Sequence, residues 1–179
     1  MCGRYFFQLS EQPLPLIQNH EQIGLFDFCQ GEIYPTQKTL VITENNEQIV
    51  GSVMKWGIKG YYGQVLINAR SESINERKMF RSLLNQRCLI VANGFYEWSK
   101  HGNHKDKIFI RKKHQPYLLM AGIYNDQNEY VIITGAAQDE MAKIHLRTPI
   151  LIDEHQGLAY LKQALNLTVD NRDLVFQKV

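Results

Sequence analysis

The sequence predicts an α+β fold, rich in mostly antiparallel strands that form a partly barrel-like sheet, with a few flanking helices. Three observations predict it. Short apolar segments rich in Val, Ile, Tyr and Phe recur along the chain, separated by Gly, Asn and Asp. Helical periodicity is confined to a few brief stretches. Strands and helices do not alternate regularly, which disfavours a doubly wound parallel sheet.

The expected strands are Thr39–Ile42, Ile49–Trp56, Val65–Ala69, Arg87–Ala92, Phe95–Ser99, Ile108–Ile110, Tyr117–Tyr124, Tyr130–Thr134 and Pro149–Ile152. Asn93-Gly94, lying between two apolar runs, reads as a tight turn, and Asn125 to Asn128 as a second hairpin. Ser73 to Leu84 sets Met79, Phe80, Leu83 and Leu84 on one helical face. Asp139 to Ile144 is a short helix. Asp153 to Leu165 carries a Leu158, Leu161, Ala164, Leu165 stripe, with Asp153 as its cap. Ser10 to His20 is expected to turn helical from Pro13 onward.

A chain of 179 residues is expected to form a single domain over 1–179. The formal charge of +2 is too small to argue nucleic-acid binding by itself, so such a partner needs a local patch. The three cysteines, Cys2, Cys29 and Cys88, include no Cys-x-x-Cys pair. A disulfide framework and a structural zinc site are therefore not expected, and the usage fits a reducing, cytoplasmic setting. No apolar run reaches the ~18 residues of a membrane span, so neither a membrane partner nor a leader ahead of Cys2 is expected.

Several polar groups sit beside apolar strands. Cys2 follows the initiator Met1. Once Met1 is trimmed, an α-amine and a thiol share one residue, titrating near ~8 and ~8.5, so modest tuning exposes nucleophilic forms of both. A 1,2-aminothiol condenses with an aldehyde and closes to a thiazolidine. Gly3 permits close backbone approach and Arg4 offers a phosphate fork, although a frayed terminus gives the same letters. Asn68-Ala69-Arg70-Ser71-Glu72 ends a buried strand: Asn68 donates and accepts, Arg70 grips phosphate, and Ser71 reads first as helix-capping chemistry. Glu97 lies between aromatics in Gly94-Phe95-Tyr96-Glu97-Trp98; in a pocket it suits acid–base work, at a sheet edge it faces solvent. His145 can shuttle protons or be a surface residue. Trp56 is either core or a platform for a base. His101, His104 and His114 in or near the basic stretch Lys100 to Lys113 read as a solvated loop rather than a metal site.

Taken in order, Met1-Cys2-Gly3-Arg4-Tyr5, Trp56-Gly57, Asn68 to Glu72, Arg87-Cys88-Leu89-Ile90, Ala92 to Trp98, Gln115-Pro116-Tyr117, Ala121-Gly122 and His145-Leu146-Arg147-Thr148-Pro149 resemble the SOS-response-associated peptidase family, whose members are understood as abasic-site processing proteins. The chain departs from the family where Ile58-Lys59-Gly60-Tyr61-Tyr62 follows Trp56-Gly57, leaving Tyr61 or Tyr62 to supply stacking, and where Asn93 replaces Asp.

The resemblance implies a monomer with the family's barrel-like fold, no cofactor and no metal, acting on single-stranded DNA that contains abasic sites. Cys2 would crosslink the lesion as a thiazolidine, with possible lyase chemistry through the Schiff base. Asn68, Glu97 and His145 would assist, and Gly3, Arg4, Trp56, Arg70, Ser71 and Glu72 would face DNA. Two alternatives remain open on the residues. Cys2, His145 and Asn68 or Glu97 also fit the nucleophile, base and orienter of a cysteine peptidase. Arg4, Arg70 and an aromatic platform also fit a non-covalent reader of modified or single-stranded DNA.

Overall fold

A computed structural model describes residues 2–17, 27–102, 104–163 and 166–179. Its strands are β1 (Tyr5–Phe7), β2 (Gly31–Ile33), β3 (Lys38–Asn45), β4 (Gln48–Trp56), β5 (Ile58–Lys59), β6 (Val65–Leu66), β7 (Asn68–Arg70), β8 (Arg87–Ala92), β9 (Gly94–His101), β10 (His104–Lys112), β11 (Leu118–Tyr124), β12 (Glu129–Ala136), β13 (Arg147–Pro149), β14 (Leu151–Ile152) and β15 (Leu174–Lys178). The α-helices are α1 (Lys78–Arg81), α2 (Asp139–Ile144) and α3 (Glu154–Leu161), with a 3₁₀ turn at Ser71–Ser73. The fold is strand-rich and mostly antiparallel, as the sequence predicts.

Five strands close on themselves: β12 pairs β4, β4 pairs β3, β3 pairs β8, β8 pairs β11, and β11 returns to β12. The β4–β12 pairing is parallel, and so is that of β7, which adds to β12 beyond the end of β4. Closure explains the burial pattern. Leu40, Val41 and Ile42 are consecutive yet fully buried, because one face fills the ring and the other is covered. A second, five-stranded sheet runs in the order β15-β10-β9-β1-β2.

The two sheets are joined at Asn93. The tight turn expected there is not a hairpin: β8 pairs within the ring, whereas β9 pairs β1 and β10. Asn93 ties the crossing together. Its N–H donates to the Phe6 carbonyl at 2.8 Å, its Oδ1 accepts from the Gln8 N–H, and its Nδ2 donates to the Pro116 carbonyl. Gly94 is required for space rather than for a positive φ. A Cβ there would lie 2.5 Å from the Phe109 ring and 2.6 Å from the Ile110 carbonyl oxygen. The Asn125–Asn128 turn does join β11 to β12, as expected.

Other boundaries shift for identifiable reasons. The Ser73–Leu84 helix shrinks to the 3₁₀ turn and the four residues of α1, so its apolar face is supplied by loops as well as helix. Ser10 to Ile17 is irregular, consistent with the prolines at 13 and 15, and the remainder of that expected helix lies outside the described residues. Asp153 does precede α3, but it makes no cap hydrogen bond; its carboxylate is engaged by Lys112. Ala164 and Leu165 lie outside the described residues. Most of the Lys100–Lys113 stretch is strand rather than loop, as the end of β9 and as β10, because β10 is sandwiched between β9 and β15. Among the described residues no helix is long and apolar enough to cross a membrane.

Candidate functional site

Four side chains from distant parts of the chain approach one another where the two sheets meet. Cys2 immediately precedes β1, Asn68 opens β7, Glu97 lies within β9, and His145 closes α2, which packs against β9. Strand alternation explains Glu97. Phe95, Glu97 and Ser99 point inward and are buried, while Tyr96 and Trp98 point outward. The carboxyl group is only 3% exposed, so the solvent-facing reading of Glu97 does not hold.

Asn68 Nδ2 donates to the Cys2 carbonyl at 2.8 Å. Its Oδ1 is shielded from solvent and accepts from no donor among the described residues. A buried amide oxygen left without a donor costs about 1–3 kcal/mol, a cost that a bound donor would remove. The His145 ring sits with Nδ1 3.9 Å from Glu97 Oε1 and is about one-third exposed. His145 Nδ1 lies 3.0 Å from the Arg147 backbone nitrogen, whose N–H it can accept, and 3.1 Å from the Arg147 carbonyl oxygen, to which it can donate, so its role follows the tautomer.

Burial pushes the Cys2 thiol well above its ordinary range, and the charge of Glu97 pushes it further. The expectation that tuning would expose more thiolate is thus reversed: the S–H is held neutral and points at the Arg4 carbonyl 3.6 Å away. Burial also raises Glu97 above the usual carboxylate range, with the His145 imidazole acting in the opposite sense. A carboxyl group whose protonated form is favoured by burial can both give and take a proton.

The remaining expected residues divide. Arg70 is exposed, and among the described residues it has no ion-pair partner. Arg4 is half-buried and donates to Glu32 at 3.0 Å. Gly3 is half-buried beside it. Ser71 does not cap; it lies inside the 3₁₀ turn, which has no side-chain cap bond. Glu72 is held by Arg147 in a bidentate pair at 2.6 and 2.9 Å, which lowers its carboxyl to about 2. Arg147 also donates to the Thr134 carbonyl at 2.7 Å, so the segment carrying His145 is anchored across β12 to the segment carrying Asn68.

Trp56 is not a platform for a base. It is fully buried, donates its indole N–H to the Ile67 carbonyl at 3.0 Å, and packs 5.2 Å from the Tyr5 ring. Gly57 follows at φ +118° and turns the chain away, which brings the nearby turn at Tyr61 and Tyr62 to the surface. These two rings are 75% and 94% exposed. Sequence reasoning missed Arg147 as an anchor, although the guanidinium lies two residues from His145, and it missed Tyr34, Glu32 and Lys107 beside Arg4, for which the sequence carries no local signal.

This fold and this meeting of residues define a class. The family model for SOS response associated peptidase (SRAP) matches residues 1–178, and the chain belongs to that family. It is 28% identical over 186 residues to the abasic site processing protein YedK of Escherichia coli K12, covering 93% of this chain and 82% of that protein. It is 31% identical over 185 residues to the abasic site processing protein YoqW of Bacillus subtilis, covering 90% and 80%. A protein of Bordetella bronchiseptica solved by X-ray crystallography shares the fold at a TM-score of 0.75 and 16% identity, covering 99% of each chain. A Bacteroides thetaiotaomicron structure does so at 0.72 and 21%, covering 84% of this chain and 78% of that one.

Proposed function

We propose that this protein handles abasic sites in single-stranded DNA, forming a covalent thiazolidine crosslink through Cys2 once Met1 has been removed. The observation that carries this reading is the convergence of a buried Cys2, an Asn68 bonded to its carbonyl, and a Glu97–His145 pair beside it. The names of the E. coli and B. subtilis relatives support the same lesion as the target.

The amine of Cys2 attacks the aldehyde of the ring-opened sugar, water leaves, and an imine forms. The sulfur then adds to the imine carbon and the thiol proton ends on nitrogen, closing the ring. Because the thiol is held neutral, the amine acts first and the sulfur follows. Glu97 takes the amine proton and returns it to the departing oxygen. His145 gives and takes protons at the sugar oxygen. Asn68 fixes the Cys2 backbone and offers its unused Oδ1 to the nitrogen or a sugar hydroxyl. Arg70 and Arg4 grip flanking phosphates, and Tyr61 and Tyr62 offer stacking faces. Aligning amine and aldehyde supplies about 7 kcal/mol or more of the barrier. The same imine permits strand cleavage at the lesion, a lyase activity. A general cysteine peptidase needs an accessible thiolate, which the buried, neutral thiol disfavours.

The test is a denaturing gel with single-stranded DNA bearing one abasic site, together with mass spectrometry of the intact N-terminus. Protein that begins at Cys2 is expected to give a denaturant-resistant adduct. The Cys2→Ala protein and an N-terminally blocked protein are expected to give none. An adduct that survives Cys2→Ala would refute the thiazolidine.

A further inference from the structure

The outward face of the five-stranded sheet carries a cluster of which the chemistry above uses only Arg4. In the β9–β10 register Lys107 stands opposite Trp98 and Phe109 opposite Tyr96, and in the β1–β2 register Glu32 stands opposite Phe6. Residues directly opposite share a face. The Arg4 guanidinium lies over the Tyr34 ring at 4.3 Å and the Trp98 ring at 5.2 Å, and the Lys107 ammonium lies 4.1 Å from the Tyr96 ring centre. One oxygen, Glu32 Oε1, accepts from both cations, at 3.0 Å from Arg4 Nη1 and 2.8 Å from Lys107 Nζ. All three charged side chains are between one-quarter and one-third exposed. The Arg4 Nε is shielded and has no acceptor among the described residues.

Two cations ringed by aromatic faces make the kind of surface that tracks a nucleic-acid backbone and stacks its bases. A single carboxylate oxygen bridging both cations occupies the position that a phosphate oxygen would take. Partial burial raises Glu32, and the hydrogen bonds from Lys107 and Arg4 more than offset it, so the group is anionic at neutral pH. Partly exposed ion pairs contribute little to stability, so exchanging this carboxylate for a phosphate costs the fold little.

We propose that Glu32 is an internal competitor for nucleic-acid phosphate at Arg4 and Lys107, and that it limits how tightly the protein holds intact single-stranded DNA. Lys107 is then a second phosphate ligand beside Arg4, with Tyr34 and Trp98 as the flanking stacking faces. The proposal rests on the reading above only in taking single-stranded DNA as the partner. A weak grip on intact strand leaves retention to the covalent step, which only the lesion allows.

The experiment measures fluorescence anisotropy of an undamaged thymidine oligonucleotide at several salt concentrations. The proteins are wild type, Glu32→Gln, Lys107→Gln and the double variant, each checked by thermal unfolding. Glu32→Gln is expected to tighten binding about 3- to 10-fold, and to steepen the log–log salt slope by about 0.7 for each phosphate newly neutralised. Lys107→Gln is expected to weaken binding a few-fold and flatten the slope, and in its background the gain from Glu32→Gln is expected to shrink. Unchanged or weaker binding by a folded Glu32→Gln protein overturns the proposal, as does Lys107→Gln binding like wild type. The probe has no aldehyde, so the result is separable from the crosslinking reaction. Adduct formation on abasic DNA with no Glu32 effect sinks this proposal alone; a Glu32 effect without any adduct sinks the thiazolidine alone.

Discussion

Two buried polar clusters lie in this molecule, and they are solved differently. The hydroxyls of Tyr5 on β1 and of Thr39 and Tyr130 on the ring strands β3 and β12 form a buried triangle with every side 2.8 Å. Each hydroxyl gives and receives, and burial raises both tyrosines far from ionisation. Where the sheets meet, Cys2, Asn68, Glu97 and His145 are packed with an unused Asn68 oxygen, a neutral thiol and a carboxyl group lifted by burial. The first cluster is internally complete, so it serves the fold. The second leaves the Asn68 oxygen without a donor among the described residues. Burial by itself does not mark a site; burial with unspent hydrogen-bonding capacity and displaced proton affinity does.

The contrast can be broken by mutating each side of it. The largest effect on stability is expected on the ring side. Trp56→Ala removes a fully buried indole and its bond to Ile67, and is expected to cost about 3–5 kcal/mol in denaturant unfolding. A loss under 1 kcal/mol would mean that the ring does not depend on that packing.

Next comes Glu97→Gln, which is expected to slow adduct formation about 100-fold or more in single-turnover kinetics while leaving stability at pH 7 equal or higher. The sign follows from linkage. The folded state binds the Glu97 proton more tightly than the unfolded chain, so wild-type stability from this group is full below the unfolded value of 4.5 and is lost as pH rises through the higher folded value. The advantage of Glu97→Gln in thermal unfolding is therefore expected to grow from pH 4 towards neutrality. An advantage that shrinks over that range would show that the carboxylate is stabilised where it sits.

A smaller effect is expected from Glu72→Gln, because the pair with Arg147 is half exposed on the Glu72 side. It is expected to cost about 1 kcal/mol or less. Glu72 is depressed to about 2, so the contribution is present above the ordinary value of 4.5 and fades as pH falls towards 2. Acid unfolding that is identical with and without Glu72 would remove the pair from the account. The smallest stability effect is expected from Tyr62→Ala, within about 0.5 kcal/mol of wild type. Single-stranded DNA binding should nonetheless weaken several-fold if that exposed ring carries a base, and unchanged affinity would assign stacking elsewhere.

Much of the scaffold was legible from local pattern. Arg87–Ala92 and Asp139–Ile144 have the bounds that the sequence predicts, since each is a strong periodic run with clear ends. Strands β1, β2, β5 and β15 were not legible. They have two to five residues apiece, too few for periodicity to register, and they exist because a distant partner offers its edge. Asn93-Gly94 was misread for a related reason: turn chemistry is local, whereas which sheet receives the next strand is not. The residues of the candidate site were legible one at a time, Glu97 as an acid among aromatics and Cys2 by its place in the chain. Trp56 was ambiguous because an indole suits a core and a platform equally, and only its burial separates the two.

The sequence by itself determined the strand-rich class, the order of its main elements, the family and the candidate side chains of the site, because these follow from residue type, spacing and short-range pattern. Only the tertiary structure decided that the ring closes through β12, that Trp56 turns inward, that Arg147 braces the His145 segment against Glu72, and that Glu32 sits between Arg4 and Lys107. Proton affinities, hydrogen-bond completion and charge pairing depend on distances between atoms far apart along the chain, and those distances exist only once the sheets have packed.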